Sequence, residues 1–211
     1  MITRFLFIVS LVFSQSSFCG NFEDEFVTAA IDRTRQNIQY DGSYFSIAYP
    51  NGDVPPMLGV CTDVIVRTYR ALGTDLQVLV HKDMFQNFSA YPSKRIWGLT
   101  STDRNIDHRR VPNLQVFFAR KGDSLPITNK ANDYMPGDLV TWMLPGNLPH
   151  IGVVTDQVSQ ETGNPLIVHN IGSGPSLDDM LFLYKITGHY RFVPHKYNQI
   201  SEQHSISGAR H

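Results

Sequence analysis

Cys61 is the residue in this chain best suited to nucleophilic chemistry. It follows Gly59-Val60 and opens a run, residues 62–72, that reads as a helix stopped by Gly73. A cysteine at a helix N-terminus faces unpaired N–H groups and the positive end of the helix dipole, both of which favour a thiolate. Such a nucleophile needs a base that doubles as an acid, and a third group that orients the base. Imidazole is the natural base near neutrality. Of the eight histidines, His150 opens one strand-like segment and His169 lies near the end of the next. Antiparallel neighbours place the start of one strand beside the end of the other, so His150 can face Cys61 with His169 behind it. Asn170 is the alternative orienter, because an amide oxygen also accepts an imidazole N–H. Strand alternation sends His169 and Asn170 to opposite faces, so only one of them serves.

Each of these residues has a plainer role to weigh. A solitary cysteine also suits a core position. His150 and His169 could share a metal, but the pair lacks tight zinc spacing, and no metal or other cofactor is expected. Asp63 reads as a first-turn carboxylate that the helix dipole favours, pointed away from the thiol, and Asp138 as a turn residue. His81, His189, His195, His204 and His211 read as surface or structural. Tyr44, Asp53, Asp107 and Arg109 are candidates to line a substrate cleft. For Asp107 and Arg109 the alternative is a surface loop, residues 102–110, whose mixed charges pair with one another.

The elements that must position these groups change character along the chain. Residues 21–36 read as an amphipathic helix with acidic residues in its first turn. Residues 40–56 are rich in turns, with a short strand expected at 44–49, and a second helical piece is expected at about 82–88. Residues 91–112 read as irregular. A further helix is expected at 113–121, with Asn113 as cap and Gly122 as stop. After Pro136-Gly137-Asp138, strand-like runs at 139–143, 151–156, 166–172 and 186–193 are separated by short turns. Helices first and an antiparallel sheet afterwards is an α+β pattern.

The chain has 211 residues and a net charge of −1. That length suits one domain, and the charge offers no basic field for nucleic acid. Residues 1–19 read as a signal peptide: Arg4, then an apolar run at 5–13 too short to span a bilayer, then small residues before Gly20. Residues 20–194 form the domain and 195–211 a polar tail. Cleavage after Cys19 leaves Cys61 without a disulfide partner in a periplasmic or secreted protein. Lipidation of Cys19 is an alternative that Ser16 and Phe18 fit poorly. Oligomeric state is not legible.

The order of these motifs resembles the NlpC-type papain-like cysteine peptidases of bacterial cell walls. The resemblance rests on GVCTDVIVRTYRALG at 59–73, NIDHRRVPNL at 105–114, PGDLVTW at 136–142, HIGVV at 150–154, IVHNIG at 167–172 and ITGHYR at 186–191. The fuller strings are similar to a secreted bacterial subfamily with that fold and no settled function. The resemblance implies helices packed on an antiparallel sheet, with Cys61 as nucleophile, His150 as base and His169 as orienting residue. The implied reaction is amide hydrolysis in peptidoglycan stem peptides. Val60-Cys61-Thr62 stands where such families carry Asp-Cys-Ser or Asp-Cys-Gly, and the segment between Cys61 and His150 is longer than in their simplest members. Alternatives are acyl or peptidyl transfer by the same triad, or a non-catalytic envelope-binding protein.

Overall fold

A computed structural model of the protein describes residues 21–195 and 197. The expected leader with Cys19, and His204 and His211 in the tail, lie outside these residues. The described chain is α+β, with helices in its first part and an antiparallel sheet in its second. The helices are α1 (Phe22–Arg33), α2 (Cys61–Ala71), α3 (Leu76–Gln86), α4 (Ser93–Trp97) and α5 (Val111–Lys121). Two short strands, β1 (Gln39–Tyr40) and β2 (Leu58–Gly59), pair in parallel just before α2. The main sheet contains β3 (Asp123–Ser124), β4 (Leu139–Leu144), β5 (Leu148–Val158), β6 (Pro165–His169), β7 (Ser176–Asp178) and β8 (Lys185–Arg191), in the order β3-β8-β4-β5-β6-β7.

Helix α2 lies at the centre, and every residue from Cys61 to Tyr69 is buried. Its end is set by Gly73, whose φ of 71° is open to glycine without a Cβ penalty. There the Thr74 N–H closes back on the Tyr69 carbonyl at 2.9 Å. Helix α1 is capped by Asn21, whose side chain accepts from the Asp24 N–H at 2.8 Å. Phe22 and Phe26 of α1 pack on Tyr69 of α2, which donates its hydroxyl to the Phe192 carbonyl at 2.9 Å. On the sheet, Leu139, Ile151, Val153 and Val168 join this helical core. Val140, Trp142, Val154 and Ile167 alternate with them and form a second cluster with Met180 and Leu181.

Several local expectations are corrected. Helix α3 begins at Leu76 rather than near 82, because Asp75 caps it by accepting from the Gln77 N–H at 2.9 Å. Helix α5 begins at Val111. Asn113 is not its cap but lies inside, donating to the Asp107 carbonyl at 3.1 Å and accepting from Ser93 at 3.1 Å. Residues 44–49 form no strand; the Ile47 N–H is taken by the Asn105 side chain at 3.1 Å. Residues 91–112 are not a solvated loop. They hold α4 and a 3-10 turn, Asp107–Arg109, whose three residues are all buried.

The sheet register brings the two histidines of interest together. His150 lies opposite Trp142 of β4, while Val153 of β5 pairs with Val168 of β6. Gly152 permits this approach, since a Cβ there would stand 2.6 Å from Ile167 Cγ2 and 2.9 Å from the Val168 carbonyl oxygen. Across the next pair, His169 faces Ser176 of β7.

Candidate active site

Cys61 is the first residue of α2, placed by the β2 strand before it and by the Asp63 carboxylate. Asp63 reaches back to accept from the Val60 N–H at 2.7 Å, as an N3 carboxylate does in a capping box. The thiol is 5% exposed and, among the described residues, has no disulfide partner. Backbone N–H groups of Ile151, Thr62 and Cys61 itself bear on the sulfur. The sulfur therefore sits against β5 one residue along from His150. Burial nonetheless pushes the thiol up to about 12, outweighing those amides, with the Asp63 charge adding to the rise. The thiolate expected from the helix terminus is thus not the resting form.

His150 and His169 meet edge to face, with ring planes at 87°. His150 Nε2 stands 3.2 Å from His169 Nδ1. Burial, and then the neighbouring His169, bring the His150 imidazole down to about 3. Burial also lowers His169, against an opposing pull from Asp178. Both rings are therefore neutral at pH 7. His169 Nε2 in turn stands 2.9 Å from Asp178 Oδ2, and the Ser176 hydroxyl donates to the same oxygen at 2.6 Å. Asn170 does not join this line. Its side-chain oxygen accepts from the Gly172 N–H at 3.0 Å, and its buried amide nitrogen has no partner among the described residues. Among the described residues, no three His, Cys, Asp or Glu side chains gather as a metal-ligand set.

The other site candidates have partners elsewhere. Asp53 binds Arg67 at 3.0 Å and Arg70 at 2.8 Å, about two turns along α2 from Cys61. Tyr44 is exposed and hydrogen-bonds Asp103 and Asn105. Asp107 accepts from the Asp103 N–H at 2.6 Å and from Arg110 at 3.2 Å, and burial raises its carboxyl to about 6. Arg109 leaves its own charge cluster altogether. It forks onto Asp63 at 2.8 and 2.9 Å, with both side chains 3% exposed. The same guanidinium donates to the carbonyls of Ser43 and Asp41 at 3.2 and 3.4 Å. A substrate contact by Arg109 is therefore replaced by a mooring function: it holds the cysteine end of α2 to the loop before it. Asp63, expected only as a first-turn carboxylate pointed away from the thiol, is the anchor of that mooring.

Three residues near this site escaped sequence reasoning. Tyr40 lies in register with Gly59, and its phenol is raised by burial and then by the neighbouring Cys61 and Asp63. Two-residue parallel strands leave no periodic signal, so nothing in the sequence tied Tyr40 to Cys61. Asp178 and Ser176 follow a glycine-containing turn, and only the β6–β7 register reveals that Ser176 lies opposite His169, with Asp178 opposite Ile167 and within reach of the same ring. His189, read as surface or structural, is buried and bonds Asp138 at 2.8 Å, as does Arg191 at 2.7 Å. Asp138 also accepts from the Met135 N–H at 2.9 Å, the turn contact expected of it.

Residues 27–192 match a family described as "Domain of unknown function (DUF1287)". The chain is also 47% identical over 168 residues to the "Uncharacterized protein YijF" of Escherichia coli strain K12, covering 78% of this chain and 80% of that one.

Proposed function

The chain belongs to the DUF1287 family, and from that premise we propose that it is an exported thiol hydrolase of amide bonds with an NlpC-type papain-like fold. Its substrate class is peptidoglycan stem peptides, and it acts in the periplasm or after secretion. The observation that carries the proposal is the line from the head of α2 to β6. Cys61 lies against the Ile151 amide, one residue along β5 from His150, whose Nε2 is engaged by His169 at 3.2 Å. His150 Nδ1, the nitrogen that His169 does not engage, is the proton acceptor.

The resting pair is a neutral thiol and a neutral imidazole, so the proton moves as sulfur attacks rather than beforehand. Sulfur bonds to the carbonyl carbon, its proton passes to His150 Nδ1, and the carbonyl oxygen takes the negative charge. The Cys61 N–H, which at rest bears on the sulfur, donates to that oxygen. Collapse breaks the C–N bond and the leaving amine takes the proton from His150. Water then attacks the thioester, giving its proton to His150, and the thiol regains it as the acid leaves. His169 stays neutral and holds the His150 ring throughout. Among the described residues no helix is long and apolar enough to cross a membrane.

The test is mass spectrometry of muropeptides released from purified sacculi. The protein should release new peptides, and Cys61→Ala should release none while melting as the parent does. Release by the alanine variant would overturn the mechanism. Added amine acceptors appearing in the products would turn the assignment to acyl or peptidyl transfer. The burial of Cys61 favours a second reading, a non-catalytic envelope-binding protein. That reading predicts sacculus binding by both forms and product from neither.

A further inference from the structure

We propose, resting on the thiol-hydrolase reading for its catalytic consequence, that Asp178 is a positioning residue whose carboxylate sets the tautomer of both imidazoles and leaves His150 Nδ1 bare. A carboxylate oxygen can only accept. His169 Nε2, 2.9 Å from Asp178 Oδ2, therefore carries the N–H of that contact. A neutral imidazole has one N–H, so His169 Nδ1 presents a lone pair. His150 Nε2 at 3.2 Å must then donate to it. Neutral His150 has no second proton to place, and its Nδ1 is unprotonated. That is the tautomer able to take a proton from a thiol. The opposite orientation would leave His169 Nε2 without its hydrogen, facing an acceptor, and would put the His150 proton on Nδ1.

The rest of the strand agrees with this polarity. The Ser176 hydroxyl, in register with His169, donates to the same carboxylate oxygen at 2.6 Å. Asp178 itself is half exposed, its side chain 53% accessible, whereas that of His169 is 4% accessible. The anion thus stays solvated while fixing the proton order of two buried rings. Its neighbour Asp179 turns to Thr162 and Asn164 and has no part in the chain.

The test is long-range proton–nitrogen NMR of the imidazole nitrogens in 15N-histidine protein, joined to initial rates of muropeptide release from sacculi. Wild type should show Nε2–H tautomers at both His150 and His169. Asp178→Ala should move at least half of His150 to the Nδ1–H form and slow release at least tenfold. Asp178→Asn should restore the wild-type tautomers and stay within about threefold of its rate, because the amide oxygen still accepts. Asp179→Asn should change neither. Unchanged tautomers in Asp178→Ala, or an Nδ1–H His150 in wild type, would overturn the assignment. Should wild type release nothing, the hydrolase reading fails, and the nitrogen spectra alone decide the role of Asp178.

Discussion

Two histidine–carboxylate pairs lie in the same sheet and differ in how completely they are engaged. His189 and Asp138 are both buried. One ring nitrogen of His189 meets Asp138 and the other meets the Pro126 carbonyl at 3.0 Å. Tyr134 stacks on the ring at 4.3 Å, and Arg191 takes the remaining face of the carboxylate. Every valence there is used, so the pair ties β8 to the turn before β4. In the His169–Asp178 pair the second ring nitrogen is passed on to another imidazole, whose other nitrogen has no hydrogen-bond partner among the described residues. The carboxylate end is open to water. A histidine bonded to an aspartate is thus not in itself a mark of chemistry. On the proposed hydrolase reading, the mark is a ring nitrogen outside the hydrogen-bonded line, on the strand whose Ile151 amide bears on the Cys61 sulfur.

The contrast can be broken by mutation. Asp138→Ala strands a buried histidine and the head of Arg191. It should destabilise the fold by about 3–5 kcal/mol in a denaturant titration, whereas Asp178→Ala should cost less than about 1 kcal/mol. Near-equal costs would erase the distinction. Arg109→Met leaves Asp63 buried and unpaired, at a cost of about 3 kcal/mol, and adding Asp63→Leu should recover much of it.

Acid should sharpen the contrast. His150 binds its proton near 6.5 when unfolded but only at about 3 in the fold, so the unfolded chain takes up the extra proton below pH 6.5. The contribution is present above pH 6.5 and is lost as pH falls towards 3. Between pH 6.5 and 4.5 the loss is about 2 kcal/mol for this ring, with His169 shifted in the same direction. His150→Gln should flatten that part of a stability–pH curve, and an unchanged slope would contradict the neutral ring. Smallest of all, Ser176→Ala should shift the midpoint by a few tenths of a kcal/mol, since the half-exposed Asp178 regains water.

Much of the architecture was written in periodicity. The α2 helix with its Gly73 stop, the helix-then-sheet order and the β5 and β6 strands all follow from local pattern. So did the prospect that His150 and His169 meet and that His169 and Asn170 face opposite sides, while alternation alone left open which of the two meets His150. What stayed hidden was set by distant contacts. Arg109 looked like one charge among many in a polar stretch. Its partner Asp63 lies 46 residues earlier, and no local pattern encodes that pairing. The thiolate expectation failed for a related reason. A helix terminus is visible in sequence, but the depth at which the fold buries it is not.

The mooring of Cys61 and the histidine chain also differ in the length of chain they close. His150 and His169 are 19 residues apart and His169 and Asp178 only 9, so β5, β6 and β7 can assemble their polar line as one meander. The cysteine end of α2 waits on a contact spanning 46 residues. Closing the longer loop costs more chain entropy, and the helical half carries that cost alone. Amide exchange should therefore open the head of α2 before the β5–β6 pairing is lost.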